Sequence, residues 1–208
     1  MTEMHTDIAH WAARLVVEEG LEYRAAKQRA AKELGQGRAR GTPLPSNEAV
    51  EDAVREHIAL FHADTQPHEL TALRATAVQW MRRLAVLRPH LTGAVWRGTA
   101  TRLSDIHLEL YCDDAKQAEL LLLNEGLSFD TQSQTRPGQP ALDVLSLSTP
   151  CTGLGETVGV HLWVLDHDDL RGALKPDARG RTHRGDLAAL NALLARENAV
   201  DVSGRVGP

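Results

Sequence analysis

Residues 93–114, GAVWRGTATRLSDIHLELYCDD, decide the fold of this 208-residue chain. Two short β-rich segments, LTGAVWRG (91–98) and DIHLELYCDD (105–114), flank a turn of small residues. Along the second, Asp105, His107 and Glu109 alternate with Ile106, Leu108 and Leu110. Period-two geometry places the three polar side chains on one face of a strand and the aliphatic ones on the core face.

The pattern continues downstream. DDAKQAELLLLNEG (113–126) predicts a helix begun by Asp113 or Asp114 and ended by Gly126, and LSFDTQSQ, ALDVLSLS and ETVGVHLWVL predict three further strands. GDLAALNALLAREN (185–198) predicts an amphipathic helix with Asp186 in its first turn, where a carboxylate complements the helix dipole. Upstream the chain reads as helix after helix. Ile8, Trp11, Ala12, Leu15 and Val16 recur at helical spacing, and Gly20 and then Gly35 punctuate. Ser46 or Asn47 caps a third helix, with Val50, Val54, Ile58 and Leu60 or Phe61 expected on its inner face. Pro67 is expected to interrupt that pattern before a fourth helix closed by Pro89. These readings predict an α-helical N-terminal region over 1–83, with a Gly/Pro-rich linker near 36–46, and an α/β domain over 84–208. The fold class expected is α+β, a mixed sheet flanked by helices behind an α-helical N-terminal region.

Composition narrows the function. Net charge is -5, with 42% hydrophobic and 25% charged residues, close to the globular average and unlike a disordered or fibrous chain. Two cysteines, Cys112 and Cys151, make neither a disulfide framework nor a zinc knuckle and fit a reducing cytoplasm. The polar, acidic start MTEMHTDIAHW does not read as a signal peptide, and the apolar run Leu120–Leu123 is far below bilayer length, so no membrane role is expected. Neither GxxxxGK[ST] nor GxGxxG occurs, which removes the anchors for P-loop and Rossmann readings. The 23 basic residues are 19 Arg and 4 Lys, favouring forked donors that match phosphate. Five of them, Arg171, Lys175, Arg179, Arg181 and Arg184, crowd one segment against Asp177 and Asp186. The N-terminal helices and the segment after them carry Arg14, Arg24, Lys27, Arg29, Lys32, Arg38 and Arg40, which decorate a solvent face. Nucleic-acid binding stays open to such a surface, but nothing in its spacing calls for it.

On these residues the segment resembles the polymerase-β-type nucleotidyltransferase superfamily, and within it proteobacterial nucleotidyltransferase-like proteins. That signature is a Gly-Ser or Gly-Gly turn, a strand with Asp-x-Asp, and a third carboxylate on a later strand. Gly98-Thr99 stands in the turn, Ala100 and Arg102 match a frequent Ala-Arg pair, and Ser104-Asp105-Ile106-His107-Leu108 parallels Ser-Asp-Ile-Asp-Leu. Asp143 in ALDVLSL takes the third position. The resemblance implies a nucleotidyltransferase-like sheet and transfer of a nucleoside monophosphate from an NTP to an unknown acceptor. Asp105, His107 and Asp143 would be the catalytic and metal-holding residues, with Glu109 as a substitute ligand. Gly98, Thr99, Arg102 and Ser104 would bind the nucleotide, and Mg2+ or Mn2+ would be the divalent metal. One departure stands out: His107 replaces the second Asp, and imidazole suits zinc, nickel or copper better than Mg2+.

Two other classes stay open. The first is a catalytically silent nucleotidyltransferase-type domain that binds nucleotide, RNA or a protein partner. The second is a metal-dependent hydrolase using His161 with Asp166, His167, Asp168 and Asp169, against which helix capping by Asp168 or Asp169 competes. Plain structural roles are also open to each residue: Asp105 and Ser104 as turn residues, His107 and Glu109 as the solvent face of a strand, Asp143 as the polar start of an edge strand.

Overall fold

A computed structural model of the chain describes residues 3–35, 44–136 and 139–204. The chain divides into two compact units, one of residues 1–71 and 98–104, the other of residues 72–97 and 105–208.

The first unit is helical. α1 (Glu3–Glu19), α2 (Tyr23–Glu33) and α3 (Asn47–Phe61) bury the positions their spacing selects, among them Ile8, Ala12, Leu15, Ala26, Ala30, Val50, Val54 and Ile58. Small alanines on α1 and α2 let the helices approach closely. Ser46 caps α3 by accepting from the Ala49 N–H at 3.1 Å, satisfying one of the donors a helix start leaves over. Leu60 and Phe61 are not on the inner face; they are 76% and 69% exposed, because the buried stripe ends at Ile58. Of the expected linker, residues 36–43 lie outside the described residues, as do Arg38 and Arg40. α4 (Gln66–Arg83) starts before Pro67 rather than after it. The ring occupies the first turn, where its missing N–H costs nothing.

The second unit is a six-stranded mixed sheet with helices, as the α+β expectation requires. Its strands are β1 (Pro89–Thr92), β2 (Ile106–Cys112), β3 (Asp130–Arg136), β4 (Gln139–Cys151), β5 (Glu156–Asp166) and β6 (Arg184–Gly185), in the order β3-β4-β5-β2-β1-β6. Among the described residues only β2 and β5 pair in parallel; the other ladders are antiparallel. α5 (Gly93–Arg97), α6 (Lys116–Asn124) and α7 (Leu187–Gly204) complete it. The expected strand over 91–98 is shorter and earlier: β1 stops at Thr92, and Gly93, at φ +70°, turns the chain into α5. The expected helix over 113–126 begins only at Lys116, whose N–H is held by the Asp114 carboxylate at 2.9 Å.

Register fixes two chemically different faces. Leu91, Leu108, Leu162 and Leu145 lie in line on the buried face. One residue along, Arg184, Thr92, His107, His161, Ser146 and Asp130 form a single polar row across all six strands. Arg74 of α4, 2% exposed, donates to the carbonyls of Val95 at 3.0 Å and Trp96 at 3.3 Å and pairs with Glu197. It thereby satisfies the last carbonyls of α5 from the side, a task a five-residue helix cannot do for itself.

Candidate functional site

The centre of the polar row is where the motif strand meets its parallel neighbour. β2 and β5 align His107 with His161, and the two rings stack at 5.0 Å between centroids. Asp105, just before β2, reaches across: its Oδ2 lies 3.1 Å from His161 Nε2, and its Oδ1 accepts the Gly159 N–H at 3.0 Å. Only glycine permits this approach, since a Cβ at residue 159 would stand 2.5 Å from Asp105 Oδ1. His161, hydrogen-bonded to the carboxylate, holds the Asp105 pKa below its ordinary value of 3.8, against the opposing pull of burial.

The hydrogen bonds also fix tautomers. An ionised carboxylate only accepts, so the neutral His161 ring carries its proton on Nε2 and leaves Nδ1 as an acceptor. Ser146 Oγ lies 2.8 Å from that Nδ1 and donates to it. The Trp163 indole N–H donates to His107 Nδ1 at 3.3 Å, which places the neutral His107 proton on Nε2. Farther along β2, Arg184 binds Glu109 at 2.6 Å, and the Tyr111 hydroxyl donates to the same carboxylate at 2.7 Å. Burial, then the Glu109 hydrogen bond, pushes the Tyr111 phenol up to about 12. Glu109 is thus committed to an ion pair that ties β6 to β2.

The expected trio of Asp105, His107 and Asp143 is not brought onto one face. Asp143 pairs with Val164 and is in line with Leu145 and Leu147, whose partners are Leu162 and Val160 on the buried side. Its carboxylate takes the Ser133 hydroxyl across β3 and β4. The residue that sheet pairing sets beside Asp105 and His107 is His161. The alternation Gly159, His161, Trp163 on β5 repeats the texture of Asp105, His107, Glu109, and that was the available signal.

Gly98–Ser104 folds with the helical unit, whereas Asp105 and His107 belong to the sheet unit. Within the former the turn is pinned. The Gln66 amide donates to the carbonyls of Gly98 at 3.2 Å and Ala100 at 2.9 Å, Glu69 accepts the Arg102 N–H at 2.9 Å, and Ser104 Oγ accepts the Thr101 N–H at 3.0 Å. The Thr99 and Thr101 hydroxyl oxygens are buried there without a hydrogen-bond partner.

The hydrolase cluster disperses. His161 is taken by Asp105 and Ser146, while Asp166 Oδ1 accepts the Asp168 N–H and caps a short 3-10 helix over 167–170. The cap is Asp166 rather than Asp168 or Asp169. In the basic segment Arg184 is paired with Glu109, and the Asp177 carboxylate gathers the N–H groups of Arg179 and Arg181 together with the Arg181 guanidinium. Among the described residues no three His, Cys, Asp or Glu side chains assemble as a metal-holding group. One carboxylate and two imidazoles are also a poor set for Mg2+, which takes hard oxygen donors. No helix among the described residues is long and apolar enough to cross a membrane.

No protein-family model and no curated protein sequence matches the chain. Three solved structures resemble it in part. The poly(U) polymerase Cid1 with MgGTP bound has a TM-score of 0.33 and 21% identity over 46% of this chain and 32% of its own. A cytoplasmic RNA terminal U-transferase gives 0.34 and 24%, over 53% of this chain and 37% of its own. Cid1 with the UTP analog UMPNPP gives 0.35 and 19%, over 53% and 36%. The chain spans about a third of the length of each.

Proposed function

We propose that the chain is a nucleotidyltransferase-type domain that binds a nucleoside triphosphate without carrying out two-metal transfer. One observation carries this reading: beside Asp105 the sheet sets two imidazoles, His107 and His161, while Asp143 is turned to the other face. Transfer in this superfamily requires carboxylates that hold divalent ions against developing negative charge. Asp105 is a single carboxylate beside two neutral donors, and one carboxylate supplies less negative charge than a set of them. Nucleotide binding rests on the Gly98-Thr99 turn, whose backbone is fixed by Gln66; the Thr99 and Thr101 hydroxyls are buried in it without a partner, and a phosphate oxygen would satisfy them once the turn opens to admit it.

The competing reading is an active transferase moving a nucleoside monophosphate from an NTP to an acceptor, with Mn2+ or Mg2+ held at Asp105, His107 and His161. Thermal shift with ATP, GTP, CTP and UTP, with and without each metal, separates the two. The binding reading requires stabilisation that needs no metal, persists in Asp105→Ala, and is lost in Thr99→Val. Stabilisation that needs Mg2+ or Mn2+ and vanishes in Asp105→Ala overturns it in favour of transfer. No shift with any NTP overturns both. The Thr99→Val change removes a buried unpaired hydroxyl, so its own stability is expected to stay level or rise.

A further inference from the structure

We infer that Ser146, His161 and Asp105 form a nucleophilic relay that attacks uncharged carboxylic esters. This goes beyond nucleotide binding and does not depend on it. An activated serine needs a base within hydrogen-bond reach and a third group that orients the base. All three are present on one face of one sheet: Ser146 Oγ lies 2.8 Å from His161 Nδ1, and His161 Nε2 lies 3.1 Å from Asp105 Oδ2. They come from β4, β5 and the residue before β2, so the constellation is made by strand pairing rather than by a flexible loop. The imidazole is used with Nδ1 toward the serine. That orientation is chemically sufficient, because Asp105 fixes the proton on Nε2 and leaves the Nδ1 lone pair directed at the hydroxyl.

Two further observations favour a working relay over a merely solvated polar row. Asp105 is held on its second oxygen by the Gly159 N–H at a position where any larger residue would collide with the carboxylate, so its orientation is enforced from behind. The relay is also reachable: the Asp105 side chain is 48% exposed and that of His161 28%.

The substrate class follows from charge. The face carries the carboxylates of Asp105, Glu109 and Asp130, and the arginine of the polar row, Arg184, is bound to Glu109. An anionic acyl or phosphoryl donor is repelled there; a neutral ester is not. In the step, Ser146 Oγ forms a bond to the ester carbonyl carbon and its proton passes to His161 Nδ1. The carbon–alkoxide bond then breaks, and the departing alkoxide takes the proton from Nδ1. Water attacks the acyl-Ser146 by the same route, releasing the carboxylic acid and restoring the serine. Ser146 is the nucleophile and His161 the base; Asp105 is a positioning residue.

The test uses the full chain with an uncharged alkyl fluorophosphonate, which forms an Oγ–P bond with loss of fluoride, and with p-nitrophenyl acetate. The expected result is a single adduct on Ser146 by peptide mass spectrometry, abolished in Ser146→Ala and unaffected in Ser128→Ala. Labelling should slow by about 10^2 to 10^4-fold in His161→Ala, the usual share of a general base. It should rise with pH, because the base acts in its unprotonated form. Asp105→Asn should slow it and move that pH profile while leaving the melting temperature within a few degrees. The inference is overturned if the native chain labels no faster than Ser146→Ala, if the adduct falls on another serine, or if His161→Ala leaves the rate and its pH profile unchanged. A negative NTP shift leaves this relay standing, and a failed label leaves nucleotide binding standing.

Discussion

Gly159→Ala isolates the contact on which the site is built. The residue sits in β5 with no left-handed backbone, so alanine brings no conformational strain of its own. Its methyl would instead lie 2.5 Å from Asp105 Oδ1, 2.7 Å from Cγ and 3.0 Å from Oδ2. The carboxylate must swing away, losing the Gly159 N–H and loosening its hold on His161. A hydrogen bond to a charged group contributes about 1.5 to 3 kcal/mol when buried. The Asp105 side chain is 48% exposed, so solvent screening brings the expected cost down to about 1 kcal/mol. In a chain of this size that lowers the melting temperature by about 2 to 4 °C. The sign of the pH dependence is fixed as well. Asp105 has a folded pKa below its ordinary 3.8, so its contribution is present above that value and is lost as pH falls through the folded pKa. The Gly159→Ala penalty should therefore be full at pH 5 to 7 and shrink toward the acid end. Urea denaturation at several pH values measures it. A double-mutant cycle supplies the decisive comparison: in an Asp105→Ala background the added methyl has no carboxylate to meet, and the penalty should fall to near zero. An equal penalty in both backgrounds would refute the contact.

Three other expectations are simpler to check. Tyr111→Phe removes a hydroxyl that donates to Glu109 and accepts from Arg184 at 3.1 Å. It should cost about 1 to 2 kcal/mol in urea denaturation. In the native protein, absorbance titration should show the Tyr111 phenol ionising only near about 12 and dropping to the ordinary value on unfolding. Arg74→Met strips the buried donors from the Val95 and Trp96 carbonyls and should cost about 2 to 3 kcal/mol, with no gain on adding salt. Cys112 and Cys151 are buried free thiols, and burial pushes the Cys112 thiol up to about 11. A disulfide reagent at pH 8 should therefore label Cys112 at the rate of unfolding, with fast labelling of the native chain refuting its burial.

How far the sequence carried the site depends on whether each feature is local. The alternation of Asp105, His107 and Glu109 with Ile106, Leu108 and Leu110 is a property of one strand, and the structure keeps it residue for residue. The span 91–98 was harder: Val95 and Trp96 carry strand propensity, yet Gly93 at positive φ starts a helix there. The Ser46 cap was legible because the groups that satisfy each other lie within one turn, whereas α4 starts before Pro67 and α6 only at Lys116. Asp143 and His161 differ in kind. Which residue stands beside Asp105 is decided by which strand pairs with β2, and the partner is β5, more than fifty residues away, with β4 one strand farther out. Once that order is set, parity does the rest. Ser146 lies on the relay face and Asp143, three residues earlier, on the opposite one, because an odd step along a strand reverses the side chain. A carboxylate that matches a motif in sequence is thereby removed from the site, and a serine that matched nothing is brought to a histidine. The chemistry available to this face was therefore encoded in register, which a reading of one segment at a time cannot supply.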